Sequence, residues 1–137
     1  LGRRRARELA LQVLFQIDVG KAQPEGALAY MLKERQVTGE TADYSRTLVE
    51  GTLKHQQQID DYLIHYATDW DLPRMANVDR NILRMSLFEM LYYPATPVNV
   101  AIDEALELAK TFSHQDAPRF INGILGRIAK EVTVESG

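Results

Sequence analysis

The chain has 137 residues, 45% hydrophobic and 26% charged with no cysteine, the make-up of one globular domain that buries a core without disulfides, thiolate metal sites or a cysteine nucleophile. No stretch approaches the ~18 apolar residues of a membrane span, and Glu8, Gln12, Gln16 and Asp18 interrupt the basic-then-apolar start every turn, which excludes the apolar run of a secretory signal. These features predict a soluble, cytoplasmic protein; the first residue, Leu1, leaves room for native residues before it.

The first segment, RRRARELALQVLFQIDVG, reads as an amphipathic helix with a wide apolar face that stops near Gly20. Pro24 suits the first turn of a second helix over 24–36, with Leu28, Met31 and Leu32 inward. A third stretch opens near Thr41 or Asp43 and carries Tyr44, Leu48, Val49 and Leu53, then Ile59, Leu63, Ile64 and Ala67. The polar run Lys54 to Gln58 between them predicts a break into two helices. Pro73 disfavours helix at Leu72 and closes this region. Asn77 then caps NVDRNILRMSLFEMLYY, whose apolar residues exceed one stripe. It is either the central helix of a bundle or in part an exposed partner surface. Thr96-Pro97 starts a helix over 97–112 with Val100, Ala101, Ala105, Leu108, Ala109 and Phe112 inward. Asp116 caps a last helix over 116–131. Gly123 and Gly126 inside it each cost about 1 kcal/mol relative to Ala, so close approach of another backbone is expected there. With no strand alternation or repeat, the fold class is all-α, a single bundle of about seven helices.

Charge supplies the one functional signal. Arg3, Arg4, Arg5 and Arg7 carry +4 within the first seven residues of a chain whose total is −3, so the remainder carries −7. A helix N-terminus has partial positive charge, and each cation there costs about 0.3–1 kcal/mol. Stability alone does not ask for arginines at that end, so they point to an external anion, nucleic acid above all. The bland alternative is a solvated tail. Aromatic readers for single-stranded RNA would be Tyr62, Tyr66, Trp70 and Phe120, with the helical periodicity favouring core positions for Trp70 and Phe120. Nothing points to catalysis. His55, His65 and His114 form no metal-ligand spacing, Ser113-His114 are mere sequence neighbours, and no phosphate-binding glycine motif is present. No metal or cofactor is expected.

RRRARELALQVLFQ, NVDRNILRMSLFEMLY and TPVNVAIDEALELAKTFSHQDAPRFINGIL closely resemble the NusB family of bacterial transcription antitermination factors, over residues 3–131. The resemblance implies a seven-helix bundle of two subdomains, about 3–70 and 71–131. It implies binding of boxA, a short RNA element of nascent transcripts, and pairing with NusE, a small-subunit ribosomal protein. With other Nus factors the pair would act on elongating RNA polymerase at ribosomal RNA operons, without catalysis. Matched motif by motif, Arg3, Arg4, Arg5, Arg7, Tyr66 and Phe120 are implied RNA contacts, with Arg80, Arg84 and Arg119 as additions. Asp116 would trim RNA affinity by repelling phosphate. Phe15 and Asp79 match the positions facing NusE; Phe15 stands where a tyrosine is common, so a hydroxyl contact is lost.

Two other readings compete. One is a helical protein-binding adaptor with the arginines as a tail. The other is the RNA-recognition domain of an RNA cytosine methyltransferase, which would make the chain a fragment. A homodimer seamed along the arginine helix would also bury the charged edge.

Overall fold

The computed structural model describes residues 2–136, with side chains described over 2–132. Among the described residues there are seven α-helices, one 3-10 turn and no strand: α1 Gly2–Gly20, α2 Pro24–Glu34, α3 Gly39–Lys54, α4 Gln56–Tyr66, the turn Leu72–Arg74, α5 Asn77–Tyr92, α6 Val98–Phe112 and α7 Ala117–Ser136. No described helix is long and apolar enough to cross a membrane.

Local chemistry sets the boundaries. Pro24 opens α2 as its fixed φ dictates. The helix ends two residues short of the expected 36 because Gln36 turns left-handed, at φ 55. The Gln36 N–H then donates to the Lys33 carbonyl and Val37 to that of Leu32, the paired bonds of a Schellman end, with Val37 buried. The break between α3 and α4 falls at His55, inside the expected polar run, and His55 lies flat on Tyr92 with ring centroids 3.8 Å apart. Neither Asn77, expected to cap α5, nor Thr96, expected as the cap before Pro97, acts as one. The Asn77 amide oxygen accepts from Arg80 at 2.7 Å, and the buried Thr96 hydroxyl lies 3.2 Å from that of Tyr44.

α5 is the central helix, touching α1, α3, α4, α6 and α7, with Asp79 through Glu89 all buried. Over 79–89 the segment is thus the central helix of the bundle, while Val78 and residues 90–93 stay partly exposed. Ile82, Leu83, Met85 and Leu87 pack against Leu9, Val13, Leu48, Ile59, Leu63, Ile121 and Leu125 in one continuous core. Gly51 of α3 gives α5 its close approach, because a Cβ there would enter the Phe88 ring. The glycines expected to serve that purpose do not. A Cβ at Gly123 or Gly126 would meet nothing within 4 Å, since both lie on the open side of α7. Ile64 and Val100, expected inward, are exposed.

Candidate nucleic-acid interface

The four arginines of α1 part company once the helix is packed. Positions 3, 4, 5 and 7 span more than one turn, so they face different neighbours. Arg7 turns inward and is 4% exposed. Its Nε and Nη2 donate to the two Glu89 carboxylate oxygens at 2.7 and 2.9 Å, and Nη1 donates to Glu104 at 3.2 Å. The Tyr44 hydroxyl donates to Glu89 at 2.5 Å. Burial opposes the Arg7 charge, but the hydrogen bonds and charge of Glu89 outweigh it and hold the guanidinium above its ordinary pKa. Burial, then the Glu89 hydrogen bond, raises Tyr44 likewise. Arg7 is therefore a staple between α1, α5 and α6, with its donors engaged inside the protein. The anion that this arginine lacked in the sequence is internal.

The other three stay at the surface. Arg4 pairs with Glu104 at 2.7 Å while its own side chain is 59% exposed. Arg5 donates only to the Arg35 carbonyl at 3.2 Å. Arg3 lies over the Tyr44 ring, 3.8 Å from its centroid, and approaches the Tyr93 hydroxyl. These contacts are single or solvent-facing, so the guanidinium groups remain available to phosphate.

The α5 candidates are held inside the protein as Arg7 is. Arg80 donates to Asp18, to Asn77 and to the carbonyls of Leu72, Pro73 and Met75. Arg84 grips Asp60 through two bonds, at 2.8 and 3.0 Å, and lies 3.5 Å from Asp18. Both are buried, because a central helix places every face against a neighbour. Burial raises the Asp18 carboxyl, but bonds from Arg80 and Asn81 and the two arginine charges lower it further than burial raises it. Asp79, expected to face a protein partner, is 2% exposed. It accepts from Ser113 Oγ at 2.5 Å and lies 3.1 Å from His114 Nε2, tying the α6–α7 turn to the start of α5. Serine and histidine thus share one carboxylate and are not in line, so this is no nucleophilic triad.

The aromatic candidates form a second cluster. Tyr66 ends α4, half-buried, parallel to Tyr62 and edge-on to His65, with the Arg127 guanidinium 6.0 Å from its ring. Phe120 is half-buried on α7, with exposed Arg119 and Asp116 beside it in sequence. Trp70, expected in the core, is 57% exposed and meets Phe120 edge-on at 4.9 Å. The turn that carries Trp70 lies outside the helical period, which is why the pattern misplaced it. Phe120 and Trp70 gather at the start of α7. Arg7–Glu89 puts the start of α1 at the end of α5, whereas His114–Asp79 puts the start of α7 at its beginning. At 1.5 Å per residue the stretch of α5 from Asp79 to Glu89 sets these two starts roughly 15 Å apart along its axis.

Phe15 is half-buried and lines a cleft of about 370 Å³ with Leu11, Gln12, Met31, Val78 and Phe112. Of the two expected partner-facing residues, Phe15 lines this cleft, whereas Asp79 is buried and not part of its wall. Gln12 and Arg35 line this cleft and also the one under Arg4 and Arg5, which makes the cationic edge and the apolar cleft continuous. Sequence reasoning missed Glu89, Glu104 and Asp18. The one available signal was an acid inside the apolar run LFEMLYY, which stability tolerates only with a buried partner.

The NusB family model matches residues 4–130. The transcription antitermination protein NusB of Desulforamulus reducens is 50% identical over 128 residues, 93% of this chain and 90% of that protein. A crystal structure of T. maritima NusB superposes with a TM-score of 0.87 at 36% identity, covering 94% of this chain and 91% of the other. A structure of the antitermination factors NusB and NusE in complex with double-stranded RNA gives 0.87 over 95% and 97% of the two chains; at 24% identity that likeness is one of fold. Matched by the family model along nearly its whole length and by relatives of high identity, the chain belongs to the NusB family, whose members are transcription antitermination factors and not enzymes.

Proposed function

We propose that the chain binds boxA-type single-stranded RNA together with NusE, and with other Nus factors acts on elongating RNA polymerase at ribosomal RNA operons in the bacterial cytoplasm. One observation carries this reading: Arg3, Arg4 and Arg5 stand exposed on a rigid first helical turn, in continuity through Gln12 and Arg35 with the apolar cleft of Phe15. Phosphates meet the three guanidinium groups, and NusE covers the cleft. Tyr66, Phe120 and Arg119 receive bases and phosphate at the far end of α5, while Asp116 limits affinity there. An extended single strand suits contacts spread over roughly 15 Å along α5. The solved NusB–NusE–RNA complex of the same fold supports both partners.

The test is equilibrium binding of boxA-like, scrambled and duplex RNA, with and without NusE. The expected result is preference for the boxA-like strand, strengthened by NusE and weakened by Arg4→Ala/Arg5→Ala. Equal binding of all three RNAs, indifferent to that double substitution, would overturn the reading.

A further inference from the structure

We propose that Trp70 is a base-stacking contact for single-stranded RNA, and that the bare backbone of Gly123, one turn along α7 from Phe120, seats the stacked nucleotide. The inference rests on the RNA-binding reading and adds to it a residue and a mode of contact.

Trp70 sits on the turn after α4, its backbone N–H donating to the Ala67 carbonyl at 3.0 Å. That turn holds a large apolar ring in solvent. Its contact with Phe120 is edge-on, at 68° between planes, so at least one indole face is left uncovered by Phe120. On α7, Phe120, Gly123 and Arg127 follow at i, i+3 and i+7 and share one face. Phe120 carries Trp70 at one end of this row and Arg127 reaches over Tyr66 at the other. The two ends lie about 10 Å apart along the helix axis. Between them Gly123 offers no side chain, and the space a Cβ would occupy is open. A solvent-facing glycine in a helix interior weakens the helix without any packing return. Room for a ligand against the backbone is what it supplies.

Charge decides which part of a nucleotide meets the indole. Asp69 and Asp71 flank Trp70 in sequence, and exposed Asp116 precedes α7. These carboxylates repel phosphate and can accept hydrogen bonds from the exocyclic amines of bases. Exposed Arg119 and Arg127 take the phosphate side. A base stacked on Trp70 with its phosphates toward α7 satisfies both signs, and stacking of this kind tolerates any base.

Trp70 is the chain's one tryptophan, so its emission reports this position alone. The experiment titrates boxA-like single-stranded RNA into the protein, following both tryptophan emission and filter retention. The expected result is quenching that saturates with retention. Trp70→Ala should weaken binding roughly 5- to 150-fold, by a factor that stays constant across a salt series, because stacking releases no counterions. Gly123→Gln should weaken RNA binding while leaving the unfolding midpoint unchanged or higher, which no purely structural role would produce. Retained RNA with unchanged emission, and both variants binding as wild type, would overturn the inference and leave the RNA reading standing. A Trp70→Ala defect confined to NusE association would also overturn it, assigning the indole to protein contact. A wild-type protein that retains no RNA would remove both readings.

Discussion

Replacing Arg7 by alanine should unfold the protein before it affects RNA. The substitution removes the counter-charge of Glu89, which is 2% exposed and left with only the Tyr44 hydroxyl. Breaking one side of a buried ion pair costs about 3–5 kcal/mol, because the surviving charge stays buried. The Glu104 contact and the lost stem packing act in the same direction. Against a total stability of about 5–15 kcal/mol this is a large fraction. For a chain of this size it lowers the unfolding midpoint by roughly 10–20 °C. Circular dichroism during a thermal ramp measures that shift, and RNA affinity is then read at a temperature where the variant is still folded. There it should match wild type within about twofold, since a buried guanidinium reaches no phosphate. Arg7→Met combined with Glu89→Gln should recover part of the loss, because no uncompensated charge remains. A midpoint lowered by less than about 3 °C, with RNA affinity falling as it does for Arg4→Ala, would refute the assignment of Arg7 as a staple.

Two further outcomes follow from the same network. The folded pKa of Asp18 lies below its unfolded value of about 3.9, so its stabilisation is complete above that pH and is lost as pH falls through the folded value. Acid titration of the unfolding midpoint should therefore show a component below about pH 4 that Asp18→Asn abolishes; an identical acid limb in the variant would count against it. Glu104→Gln should release Arg4 from its 2.7 Å pair and raise RNA affinity by up to about fivefold, as for a solvent-screened surface pair. Unchanged or weaker binding by a folded variant would mean that the pair positions Arg4 and does not restrain it.

The helices were legible because their signals are local: apolar period, Pro24, and the polar run around His55. The family was legible in three long motifs. What the sequence concealed was the partner of each charge. Arg7 is separated by 82 residues from Glu89, and Arg80 by 62 from Asp18. No periodicity links such positions, so arginines that hold the bundle together read the same as arginines that face solvent. Gly123 and Trp70 failed for the opposite reason. Both were assigned to packing, yet Gly123 lies on the open side of α7 and Trp70 on a turn, largely exposed, where it meets Phe120 edge-on. In each case identity was informative and direction was not.

The central claim is that three of the four arginines of α1, and not all four, meet RNA. Salt dependence counts them. Each phosphate neutralised on a single strand contributes about −0.7 to the slope of log affinity against log salt. Filter binding of boxA-like RNA over a salt series, with wild type, Arg4→Ala/Arg5→Ala and Arg7→Lys, measures that slope directly. The account predicts a slope shallower by about 1.4 in the double variant, with Arg7→Lys unchanged wherever it is folded. A double variant with the wild-type slope, or a slope reduced by Arg7→Lys alone, would contradict it.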